Sequence, residues 1–345
     1  MMLLSPRTRR VLTTVAASTA TVTLLAACGG GESDTGSSAD GATTVAAVIK
    51  GLDNPFFQAM QDGIETAASD TGTEVEVQAA QSITDTTGQA DRLTTLAQQD
   101  FGCFVVNPIS GSNLVQGLAQ IARQDVPVVN IDSPVDADAA EEAGLDVATY
   151  IGTDNADAGA QAGQAMIDAI GTGKVAVIGG ISGDVTSGAR VDGFTGAVEG
   201  TLEVVQTVAA DWERQRALTA ATDILAANPD LRGFFAANDD MGLGIARAVA
   251  NAGKTGQIAI VSVDGNEEAL QAVADGQLTA TVAQYPYAIG EMGVQACVAA
   301  VEGQELPAEV TAPVAVVTAD VAQQALDAFP APFQEFDNPL ADLVG

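Results

Sequence analysis

Cys103–Asp132 reads CFVVNPISGSNLVQGLAQIARQDVPVVNID. Cys103–Pro108 and Val126–Asp132 are short apolar runs, each ending in an amide or a carboxylate. Ser112–Gln124, between them, carries apolar residues at helical spacing. A strand that is apolar throughout, rather than alternating, is covered on both faces, as in a parallel sheet flanked by helices. The stretch therefore predicts one strand–helix–strand unit.

The same alternation extends in both directions. Strands are predicted to begin at Val45, Glu74, Cys103 and Val126, with a connecting run at Ala148. Others follow at Lys174, Glu203, Gly233, Ile258, Leu278 and Val314, eleven in all. Helical segments such as Asn54–Thr71, Thr84–Gln99, Asp157–Ile170, Arg214–Ala227 and Met241–Ala252 separate them. Gly72, Gly171 and Gly253 stand where helix C-caps are expected. The first four strand starts are 29, 29 and 23 residues apart, and the four from Lys174 are 29, 30 and 25 apart. Two halves of matching rhythm predict an α/β fold of two Rossmann-like, doubly wound parallel-sheet lobes.

Composition narrows the function. The 345 residues include 45 acidic and 13 basic ones, a formal charge of −32, which repels phosphate backbones and excludes nucleic acid as a partner. Histidine is absent, so triads, metal sites and acid–base steps that need imidazole are excluded. Three cysteines are too few for a four-cysteine zinc site. No metal and no cofactor is expected.

Met1–Ala27 reads as a secretory signal, with Arg7, Arg9 and Arg10 ahead of an apolar, small-residue stretch too weakly hydrophobic to predict a membrane span. It ends in Leu25-Ala26-Ala27-Cys28, which resembles the bacterial lipoprotein processing box. A lipid on Cys28 would hold an exported protein on the outer face of the cytoplasmic membrane. Residues 28–43 then form a Gly-, Ser- and Asp-rich tether. An exported chain also permits a disulfide, and Cys103 and Cys297 form the one pair left, either bridged or as two buried thiols.

Ligands of open α/β sheets bind beyond the carboxyl ends of the strands. Those positions carry Asn54, Phe56 and Phe57, then Asn107, then Asp132 and Ser133. In the second half they carry Arg190, Asp211, Trp212, Asn238, Asp264 and Gln284. Carboxylates and Arg make strong hydrogen bonds to hydroxyls, amides donate and accept together, and aromatics cover the C–H faces of a sugar ring. The set suits a neutral polyhydroxylated ligand, with Arg190 as its one positive charge. Each residue also has a plainer role. Asn54 before Pro55 is a helix N-cap, Phe56 and Phe57 are core, Asp132 and Asp264 are turn residues, Trp212 is packing, and Arg190 is a surface ion pair. What favours a site is that all of them fall at strand ends.

At these residues the chain resembles the type I periplasmic sugar-binding proteins, ribose-binding proteins in particular. Asn54-Pro55-Phe56-Phe57, Asn107-Pro108, Pro127–Asp132, Thr153-Asp154-Asn155, Arg190 through Phe194, Asn238-Asp239, Val263-Asp264-Gly265 and Ala283-Gln284 recur in order and spacing. The resemblance implies a monomer that captures a sugar or polyol between two lobes and delivers it to the permease of an ABC transporter. It implies sugar ligands at Asn54, Phe56, Phe57 and Asp132 of the first lobe and at Arg190, Trp212, Asn238, Asp264 and Gln284 of the second. It implies three crossings, near Thr153-Asp154, Gln284–Pro286 and Pro307–Pro313. The first lobe is then 44–153 plus 285–311, the second 154–284 plus 312–328, and 329–345 a tail beyond the resemblance. Two departures bear on specificity: ribose-binding proteins have arginine where Ser133 stands and an aromatic where Val263 stands, so Ser133 is read as a specificity residue that leaves space and removes a charge, and ribose as not the best ligand.

An enzyme would need a nucleophile with its base, and a regulator of the same fold would need an N-terminal helix-turn-helix where this chain has a signal and tether. A binding protein that presents a sugar signal to a membrane receptor stays open beside transport. The anchor has a direct test: Cys28→Ser should move the protein from the membrane fraction to the soluble one. A variant that stays membrane-bound, alongside unprocessed wild type, would remove the anchor.

Overall fold

The computed structural model describes residues 43–344. The export signal, Cys28 and nearly all of the tether lie outside them. The strands are β1 Thr44–Ile49, β2 Glu74–Ala79, β3 Cys103–Val106, β4 Val128–Ile131, β5 Thr149–Thr153, β6 Gly173–Gly179, β7 Leu202–Ala209, β8 Leu231–Ala236, β9 Ala259–Asp264, β10 Ala280–Ala283, β11 Glu309–Ala312 and β12 Ala315–Thr318. The helices are α1 Pro55–Thr71, α2 Thr86–Leu96, α3 Val115–Ala122, α4 Ala137–Ala143, α5 Asn155–Ile170, α6 Val185–Val198, α7 Arg214–Ala227, α8 Asp239–Asn251, α9 Glu267–Ala274, α10 Pro286–Val301 and α11 Ala322–Ala328.

Two six-stranded sheets result, in the orders β11-β5-β4-β3-β1-β2 and β12-β10-β9-β8-β6-β7. The second order repeats the first, so the duplicated rhythm of the sequence is a duplicated topology. The paired strands are parallel except β12, which runs antiparallel to β10. The chain passes between the sheets from β5 into α5, from β10 into α10, and from β11 to β12.

Continuous apolar strands are buried on both faces, as expected. In β1, Val45, Ala47 and Ile49 pack with Met60 and Ile64 of α1 and Ile289 of α10. Ala46 and Val48 point the other way, to Leu93 and Leu96 of α2 and Leu118 of α3. Full burial of each such Leu, Ile or Val stabilises the fold by about 1.5–3 kcal/mol, before the entropy of ordering the chain is set against it.

Twelve strands are described where eleven were predicted. The extra one, β11, has four residues at a sheet edge and alternates between exposed and buried. A short edge strand of that kind carries no continuous apolar run. The run at Ala148, read as a connection, is β5, a full member of the first sheet.

Cys103 on β3 and Cys297 on α10 are joined, with Cα atoms 5.6 Å apart across a separation of 194 residues. Both are fully buried. The bridge ties the first strand bundle to the helix that returns to it from the second lobe. Cys103→Ala with Cys297→Ala should lower unfolding stability by about 2–5 kcal/mol, measured in denaturant, and intact mass without reductant should show no free thiol at either position. Two alkylatable thiols would contradict the bridge.

Candidate functional site

The carboxyl ends of the two sheets wall one cavity, with about 600 Å³ of non-atom space including its opening. From the first lobe it is lined by Lys50, Asn54, Phe56, Phe57, Asp132 and Ser133, and from the second by Arg190, Trp212, Asn238 and Asp264. The structure thus brings together nine of the ten residues singled out as ligand contacts. The tenth, Gln284, stands behind Asp264 and donates Nε2 to its Oδ1 at 2.8 Å.

The first-lobe wall grows from helix capping. Asn54 Oδ1 accepts from Phe56 N at 2.9 Å, and Pro55 opens α1. The residue that starts the helix therefore also faces the cavity, so the cap and the site are one residue. Phe56 and Phe57 are likewise both core and lining, in an edge contact with ring centroids 5.2 Å apart. Tyr150 O–H donates to the Asp132 carbonyl at 2.7 Å and holds that strand end in place. Burial, then the Asp132 charge, raises the Tyr150 hydroxyl well above its ordinary value.

Arg190 is not a surface ion pair. It lies on α6, is 5% exposed, and is bonded in three directions. Nε donates to Asn155 Oδ1 at 2.8 Å, and Nη1 donates to the Ala237 carbonyl at 2.8 Å and to Asp264 Oδ1 at 3.0 Å. A Cβ on Gly159 of α5 would fall 2.1 Å from the Arg190 carbonyl oxygen, so only glycine lets α5 approach α6 closely enough to seat this residue. The guanidinium also lies 5.8 Å from the centroid of a Trp212 ring. That indole rests on Gly180, where a Cβ would come within 2.2 Å of it. Asn238 caps α8 through Met241 N at 3.0 Å.

Behind these groups sits Asp239, fully buried, accepting from Ser262 Oγ at 2.5 Å, Thr281 Oγ1 at 2.7 Å and Asn266 N at 2.8 Å. It pins the turn that presents Asp264. Burial pushes its carboxyl up to about 6. Burial pushes the Asp264 carboxyl up to about 8, against the pull of Arg190.

Two readings of the sequence are corrected. Arg190 is not the only positive charge: Lys50 lines the cavity, with Nζ 3.7 Å from Asp132 Oδ2 and 5.3 Å from the centroid of Phe57. Ser133 does not leave open space, because Lys50 Nζ reaches its Oγ at 2.5 Å. The signal for Lys50 was its place directly after β1, at the same strand edge as the other contacts. Ile83, Ile109, Ile181, Asp184 and Thr186 also line the cavity and were not singled out. Ile83, Ile109 and Ile181 sit on loops and Asp184 and Thr186 at the start of α6, positions the apolar pattern does not reveal.

The backbone marks the same edge. Five described non-glycine residues have positive φ, and Asp132, Asp211, Trp212 and Asp264 are four of them. Left-handed backbone at such residues costs about 1–3 kcal/mol each. Its concentration at the strand ends around one cavity is what a ligand-holding site would explain. Lys50 lies beside Asp132 and Arg190 beside Asp264, and Asp184 adds a third acidic side chain to the lining. The arrangement can bind hydroxyls by charge-assisted hydrogen bonds while favouring no strongly charged ligand.

Residues 45–305 match the periplasmic binding protein domain family. The chain is 38% identical over 263 residues to the D-allose-binding periplasmic protein of Escherichia coli strain K12, covering 75% of this chain and 85% of that one. It is 32% identical over 276 residues to the ribose import binding protein RbsB of Bacillus subtilis strain 168, covering 80% and 87%. Its fold is similar to that of an ABC transporter periplasmic solute-binding protein from Actinobacillus succinogenes 130z solved with bound D-allose, with TM-score 0.77, 28% identity, and coverage of 81% and 99%.

The two raised carboxyls make stability depend on pH. Between the unfolded value of 3.8 and about 8, folded Asp264 keeps its proton where the unfolded chain loses it. The folded state then binds more protons, so stability falls as pH rises through that window. The melting temperature of the ligand-free protein should fall from about pH 5 to about pH 8, and Asp264→Asn should flatten the upper half of the decline. A wild-type melting temperature that climbs steadily over this range would contradict the assignment.

Proposed function

Since the chain belongs to the type I periplasmic sugar-binding proteins, which are substrate-binding proteins of transporters and not enzymes, we propose that it captures a neutral hexose of the allose kind and delivers it to an ABC permease. The observation that carries this is the convergence of hydrogen-bonding groups from both lobes on one cavity: Lys50, Asn54 and Asp132 from one side, Arg190, Asn238 and Asp264 from the other. Closure of two lobes about a ligand is the established motion of periplasmic binding proteins. A sugar bonded to both walls stabilises the closed arrangement by its differential affinity for it. Phe56, Phe57 and Trp212 would cover the ring faces, and the carboxylates would take its hydroxyls.

Lys50 beside Ser133 supports a ligand other than ribose. It supplies a charge at Asp132 from the end of β1, where ribose-binding proteins place an arginine next in sequence to the aspartate. The hydroxyl pattern offered to the first wall is therefore changed. The relatives' D-allose points to the same class. A lipid at Cys28 would keep the protein, acting as a monomer, beside its permease.

Calorimetry on delipidated protein should show D-allose or another hexose binding more tightly than D-ribose. Ribose binding tighter than every hexose and polyol tested would sink the specificity. Asp264→Ala and Arg190→Ala should each weaken sugar binding by about 30- to 5000-fold, the consequence of about 2–5 kcal/mol for a lost partner in a desolvated site. Unchanged affinity in Asp264→Ala would sink the site itself.

A further inference from the structure

Beyond α11 the chain runs across the junction between the lobes. Phe329 and Phe333 pack on the core of the second lobe, and Phe336 touches the cores of both. Leu340, with no exposed surface, is seated in the core of the first lobe. Asn338 fixes this end: its Nδ2 donates to Gln295 Oε1 on α10 at 2.9 Å, and its Oδ1 accepts from Leu340 N at 3.0 Å.

On its way the segment meets each crossing. Phe333 stands edge-on to Tyr285, at the crossing from β10 to α10, with centroids 6.4 Å apart. Phe336 and Asp337 share a cavity wall with Asp154, where β5 gives way to α5, and with Pro313, between β11 and β12. Phe329 and Phe333 also wall a small cavity with Asp264 and Gln284, so the segment backs the carboxylate–amide pair of the sugar pocket.

A segment continuous with α11 in one lobe and seated in the other by a buried leucine ties the two lobes together beside the crossings. Any opening that separates the lobes at this segment returns apolar surface of Leu340 or Phe336 to water, which opposes it. We propose that Phe329–Val344 is a strap across the three crossings that holds the lobes in the ligand-gripping arrangement and slows release of the sugar; the release part rests on the function proposed above. Apparent affinity scales with the fraction of molecules in the competent state, so a strap that raises this fraction tightens binding without touching the ligand.

Two variants test it: a chain ending at Ala328, and full-length Leu340→Ser, which unplugs the strap and keeps everything else. Small-angle scattering reads the ligand-free radius of gyration. Stopped-flow fluorescence of Trp212, the one tryptophan of the chain, reads D-allose release. Both variants should be folded by circular dichroism, show a larger ligand-free radius, release D-allose faster, and bind it about tenfold more weakly for a tenfold drop in the closed fraction. Wild-type radius and release rate in folded variants would overturn the strap. If the truncated chain does not fold, Leu340→Ser decides by the same readings. If D-allose binds neither wild type nor variant, the sugar assignment fails, and the ligand-free radius still decides the strap.

Discussion

The direction of the strands is the constraint on which the rest of the structure depends. In a parallel sheet every strand ends at the same edge, and every helix begins there. The residues that terminate strands and cap helices therefore collect along one line. Asn54, Asp184 and Asn238 each cap a helix through a side-chain oxygen, and each also faces the cavity. Because the two sheets share one strand order and are linked by three crossings, two such polar edges confront each other. The cavity is the space between them.

Polar groups gathered in this way must then be kept satisfied out of water. The second lobe does so by layers. Arg190 is shared among Asn155, the Ala237 carbonyl and Asp264; Gln284 donates to Asp264; and Asp239 is held by two hydroxyls and a backbone amide behind them. A charge buried with one partner removed is costly, so each member depends on the next. The network holds Arg190 and Asp264 in one geometry, and such preorganisation lowers the ordering cost of binding. The first lobe is looser: Lys50 and Asp132 keep some exposure and sit 3.7 Å apart.

The acidic surface fits the same picture. A net charge of −32 gives the molecule no attraction for anions, while the cavity offers cations already matched to carboxylates. Exposed ion pairs such as Arg214 with Asp240 and Glu268 join α7, α8 and α9 on the surface, and pairs of that exposure contribute little to stability. The stability lies in the apolar layers on either side of each sheet and in the Cys103–Cys297 bridge.

The sequence by itself determined the alternation of strands and helices, the duplication, and the positions of Asn54, Asp132, Trp212, Asn238 and Asp264 at or just beyond strand ends; Arg190, read as a strand-end residue, lies within α6 and reaches the site from the helix. Strand polarity and helix capping are local properties written in short patterns, and the site inherits its position from them. Tertiary structure decided what local pattern does not encode. Lys50 belongs to the site because β1 and β4 end at one edge with only β3 between them, bringing its amine to Ser133 from 83 residues away. Gln284 became a support rather than a lining residue because Asp264 stands in front of it. β11 exists because β5 offers it an edge, not because its four residues favour a strand. The tail, with three phenylalanines and no strand pattern, found its place because the junction of two lobes presents apolar surface from both, and only the folded chain brings those surfaces together.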